Sequence, residues 1–144
     1  MKPKLLLRIA AILIAIHGVG HTIGHSGWKN APDPVERQVI GQMTGHKFPF
    51  MGAIHSLGDY FEGYGYACSI ALLLIAILLW ITAGELQANK TLAGKVILTI
   101  SLGLVIWAVD EVIYFFPFAA APTFLASLCG LLAYYSLRQN VKTT

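Results

Sequence analysis

His17, His21 and His25 recur every four residues. On a helix each such step advances ~40° around the axis and ~6 Å along it, so the three imidazoles form one polar stripe. A second stripe follows at His55, Asp59, Glu62, Tyr66 and Ser69, and a third segment brings Asp110 and Glu111. Neighbouring helical residues point ~100° apart, so one of those two acids is expected to face inward. A histidine pair one turn apart can grip a metal ion, and a group from another helix can complete the shell. His21 and His25 with His55 and Asp59 are therefore the expected ligands of a divalent transition metal such as zinc, copper or iron. His17 and His25 are ~12 Å apart along the axis, too far to share one ion. His17 is expected to act as a deeper relay, in a secondary polar pocket with Glu62, Tyr66, Asp110 and Glu111.

The same residues support other chemistry. Histidines and acids on neighbouring helices can simply hydrogen-bond to one another and tie the helices together, as in a structural or accessory subunit. Alternating imidazole and carboxyl groups can also pass protons in a proton-linked transporter. A carboxyl such as Glu62 or Glu111 could serve acid/base catalysis on a hydrophobic substrate. The H-x-x-x-H spacing of membrane di-iron desaturases needs more histidines than the five present. A bis-histidine haem is less favoured, because only His46 or His55 could oppose the first stripe.

These groups must be positioned by apolar elements. Hydrophobic residues make up 56% of the chain and charged residues 12%, against ~25% charged in ordinary soluble proteins. The excess lies in four stretches, Leu5–Ile23, Tyr64–Ala83, Val96–Phe116 and Ala119–Leu137. Each is close to the ~20 residues a helix needs to cross ~30 Å of hydrocarbon, and lipid leaves a spanning backbone no alternative to internal hydrogen bonds. The expectation is an all-α, four-helix transmembrane bundle in one integral membrane domain, residues 1–144. Its spans run about 5–24, 57–84, 96–117 and 120–138, with an outer loop at 25–56 and a short amphipathic helix in that loop. Arg8 interrupts the first apolar run, so that run is read as a span and not as a cleaved leader. Cys68 and Cys129 fall inside spans without metal-ligand spacing and are expected to act as small hydrophobes.

Lys2, Lys4, Arg8, Lys90, Lys95, Arg138 and Lys142 fall on the terminal side of the spans, against Lys29, Arg37 and Lys47 on the other. By the positive-inside rule both termini are expected in the cytoplasm. The net charge of +3 reflects that asymmetry and gives no sign of nucleic-acid binding. The expected surroundings are the lipid bilayer, with a homo-oligomer or a larger membrane complex as partner. Gly20-x-x-x-Gly24 offers a face for close helix packing.

In the loop, Asp33-Pro34-Val35-Glu36 has the form of a helix start, with Asp33 as N-cap and Pro34 at the first helical position. Val35, Val39, Ile40 and Met43 continue an amphipathic pattern to about Thr44. Gly45 ends it, and His46–Gly52 leads on to a helical pattern resuming at Ser56.

The segment Phe48-Pro49-Phe50-Met51-Gly52, followed by Ser56-Leu57-Gly58-Asp59-Tyr60-Phe61-Glu62-Gly63-Tyr64-Gly65, resembles the signature of an uncharacterised family of small four-helix bacterial membrane proteins. The resemblance covers about eighteen residues. It implies a four-helix fold in a bacterial cytoplasmic membrane and no particular activity. It also places Asp59 and His21 ahead of His17 as expected site residues.

Overall fold

A computed structural model describes residues 2–142, with side chains as far as Gln139. Met1, Thr143, Thr144 and the Lys142 side chain, all included in the sequence reading, lie outside the described residues. Five helices and one hairpin follow in order: α1 Pro3–Ser26, α2 Pro34–Gly45, β1 Lys47–Phe50, β2 Ala53–Ser56, α3 Leu57–Glu85, α4 Lys90–Tyr114 and α5 Pro117–Lys142. Helices α1, α3, α4 and α5 are each long and apolar enough to cross a membrane. Helices α4 and α5 are separated by Phe115 and Phe116 alone, because Pro117 takes the first position of α5 and disfavours helix at Phe116. Helix α4 therefore ends at Tyr114, where the sequence reading carried the span to about 117.

The chain forms two compact units, residues 1–17 with 72–144, and residues 18–71. Helices α1 and α3 each contribute residues to both. The first unit is four-helical. Its buried positions include Leu7, Ala10 and Ile14 of α1, Leu72, Ala76 and Leu79 of α3, Ile97, Leu104 and Ala108 of α4, and Ala120, Ala126 and Ala133 of α5. Alanine and serine are frequent inside, while Ile12, Ile77, Ile106 and Val112 are exposed. In water that distribution would leave large apolar surfaces bare. In lipid it is the expected one, since small residues let helices approach and long aliphatic chains face the acyl tails. Helices α4 and α5 approach closely at Gly130, where a side chain would run into Ser101. Arg8 lies over the Trp80 ring, 5.0 Å from its centroid.

The second unit holds the loop elements. Asp33 caps α2 as expected, accepting from the Val35 and Glu36 amides. Gly58 lets α3 begin against the end of α2, where a Cβ would stand 2.7 Å from the Thr44 methyl. The stretch after α2 forms an antiparallel hairpin that pairs Lys47 with Ser56 and Phe50 with Ala53. Met51 and Gly52 both have positive φ, 46° and 88°, as a two-residue type I′ turn demands. Pro49 is tolerated because both strands of a two-stranded sheet are edges. Gly20 and Gly24 meet open space, so among the described residues close packing falls at other glycines.

Candidate functional site

Within the second unit, His21 and His25 stack on one face of α1, with ring centroids 5.8 Å apart and planes 1° from parallel. His21 Nε2 donates to the Gly65 carbonyl at 3.0 Å, and His25 Nε2 donates to the Glu62 carbonyl at 3.1 Å. A carbonyl can only accept, so both rings carry their proton on Nε2. Thr22 adds a hydroxyl bond to Ser69 at 2.9 Å. Phe61 lies beside the His25 ring and Tyr66 meets it edge-on. Residue 65 is glycine at the point where α3 passes this ring, and an added Cβ would collide with the imidazole. These two histidines pin α1 to α3 through backbone carbonyls.

The other two expected ligands have different partners. His55 Nδ1 stands 3.7 Å from Asp59 Oδ2, with both side chains about half exposed, and its ring packs on Tyr60. Asp59 Oδ2 accepts from the Ser56 amide at 2.8 Å, while the Asp59 amide donates to Ser56 Oγ at 3.1 Å. This reciprocal pair is a capping box on α3, so one carboxylate oxygen, Oδ2, is taken by the backbone. Among the described residues no three His, Cys, Asp or Glu side chains are grouped to hold a metal ion. The four residues lie as two pairs, the stacked His21 and His25 and the neighbouring His55 and Asp59.

Glu62 and Tyr66, expected in a secondary pocket, border His25 in this second unit. The Glu62 carboxylate is hydrogen-bonded to Lys29 and holds that ammonium above its ordinary range. Trp28 packs against Phe61 with the ring planes tilted by 58° and carries Lys29 over its face.

The remaining stripe histidine anchors a cluster in the first unit. His17 Nε2 lies 3.2 Å from Glu111 Oε1, with side chains 9% and 5% exposed. His17 Nδ1 lies 2.8 Å from the hydroxyl of Thr123, which is fully buried. Helices α1, α4 and α5 thus each supply one polar group. Glu111 points inward and Asp110 outward, as their angular offset requires. Trp107 and Thr123 border the Glu111 carboxyl, and among the described residues its buried Oε2 has no hydrogen-bond partner. Thr123 follows Pro122, which interrupts α5 and leaves the Phe118 carbonyl without its helical donor.

Sequence reasoning did not find Thr123. A threonine inside an apolar span usually bonds its own helix, and the one local signal was the interior proline beside it. Compared with family models, curated proteins and solved structures, the chain matches none.

Proposed function

We propose that this chain is a multi-pass membrane protein whose working centre is the protonatable cluster of His17, Glu111 and Thr123, and that it couples proton binding there to its activity. One observation carries this reading: each ring nitrogen of His17, whose side chain is 9% exposed, has a partner that suits more than one protonation state. With a neutral ring, Thr123 O–H donates to Nδ1 and Nε2–H donates to Glu111. With an imidazolium, Nδ1–H donates to the Thr123 oxygen, since a hydroxyl serves as donor or acceptor. The unpartnered Glu111 Oε2 is a further place for a proton. Ionisable groups are expensive inside a bilayer and mark proton relays and ion pathways there.

A metal at His21, His25, His55 and Asp59 has less support, because among the described residues no three such side chains are grouped to hold an ion. The Lys and Arg distribution favours cytoplasmic termini, and the signature resemblance favours a bacterial cytoplasmic membrane. Infrared difference spectroscopy on the protein in lipid nanodiscs tests the reading. A pH step is expected to produce a carboxyl C=O band that disappears in Glu111→Gln. A spectrum identical in wild type and variant would defeat the proposal.

A further inference from the structure

The second unit contains an open cleft of about 530 Å³, lined by Lys47, Ile54, His55, Asp59, Glu62 and Tyr66 among others. Its level in the bilayer follows from the length of α3. Twenty-nine residues rise ~43 Å, whereas the hydrocarbon is ~30 Å thick and the whole bilayer ~40–45 Å. No charged residue occurs from Ala67 to Gly84, and the acids of α3's first turns, Asp59 and Glu62, precede that stretch. The surplus length is therefore assigned to the Leu57–Tyr66 end, which would put the cleft at the level of the headgroup layer.

The groups around the cleft divide by charge. Asp59 and Glu62 are three residues apart, so they share one face of α3. Each has a carboxylate oxygen outside its bonds to Ser56 and Lys29 respectively. Lys47 forms no ion pair among the described residues, and half-exposed His55 lies beside Asp59. Tyr66 stands ~10 Å further along α3 than Asp59, toward the hydrocarbon.

From this arrangement we infer that the cleft binds the headgroup of an aminophospholipid, with the phosphate on Lys47 and the primary ammonium on Asp59 and Glu62. His55 supplies a second donor to the phosphate, and Tyr66 lies at the depth of the glycerol esters. A phosphocholine headgroup carries no N–H to give the two acids, and a phosphoglycerol headgroup carries no cation. The inference is independent of the His17 cluster.

Native mass spectrometry of the full chain, exposed to equal amounts of phosphatidylethanolamine, phosphatidylcholine and phosphatidylglycerol, reads the preference directly. Phosphatidylethanolamine is expected to be retained about tenfold over either competitor, the factor that loss of a charge-assisted hydrogen bond removes. Lys47→Glu, on the exposed hairpin, is expected to abolish that preference, and Lys47→Gln to weaken it, with helix content unchanged by circular dichroism. Equal retention of the three lipids would overturn the inference, as would a preference that survives Lys47→Glu. Soluble phosphoethanolamine displacing the lipid at equal concentration would assign the cleft to a free zwitterion and would overturn the lipid assignment.

Discussion

At the scale of single residues, His25 and Gly65 determine each other. The ring reaches the Glu62 carbonyl only because residue 65 has no side chain. Gly65→Ala is expected to destabilise the protein by about 1–3 kcal/mol, the usual cost of overpacking. In a His25→Ala background the same change should be nearly neutral, so thermal unfolding of the four proteins in this double-mutant cycle measures the coupling. The His17 cluster makes a second prediction. Glu111→Ala leaves the imidazole buried without its acceptor and is expected to cost about 1–2 kcal/mol. Glu111→Gln keeps the shape and an oxygen acceptor and should cost less. Lys29 gives a pH dependence with a definite sign. Its pKa is raised by Glu62, so the pair's contribution is present below the ordinary lysine value of 10.5 and is lost as pH rises beyond it. The pair is solvent-exposed and the effect small. A low-salt thermal midpoint that falls in alkali more for wild type than for Glu62→Gln would display it.

At the scale of elements, the start of α3 depends on the Ser56–Asp59 box. Ser56→Ala is expected to cost about 1 kcal/mol and to speed hydrogen exchange at the amides of 57–60, while the centres of the spans stay protected. The four spans and α2 were legible in the sequence because their signals are local, namely long apolar runs and an Asp-Pro helix start. The hairpin was not. Its turn is Met51-Gly52 where Asn-Gly would have announced a type I′ turn, and Pro49 reads as a strand breaker unless the strand is known to be an edge. Of the site, the α1 stripe was legible from spacing alone, and so was the expectation that one of Asp110 and Glu111 faces inward. Which acid each histidine meets was not, because spacing along one helix carries no information about register against another. Asp59 shows the consequence, since its spacing fits a ligand equally well when its carboxylate caps a helix.

At the scale of the whole molecule, an apolar exterior around alanine- and serine-rich interfaces is what a bilayer asks of four spanning helices. Crossing of the bilayer by all four long helices would put the α2 loop and the short α3–α4 connection on opposite sides of it. On the orientation that the Lys and Arg distribution favours, Gln38→Cys should react with a membrane-impermeant maleimide added to intact cells, and Gln87→Cys only after the cells are permeabilised. The bilayer also gives the His17 cluster its meaning, because a polar group unremarkable at a wet surface is costly in lipid unless its partners or its function hold it there. Solid-state NMR of the histidine-labelled full chain in lipid bilayers tests the proton-binding proposal most directly. The His17 ring nitrogens are expected to change protonation state over the pH range in which the protein stays folded, with the change altered in Glu111→Gln. A His17 ring that keeps one tautomer across that range, unaffected by Glu111→Gln, would contradict a proton-binding role and leave the cluster as an interhelical tie.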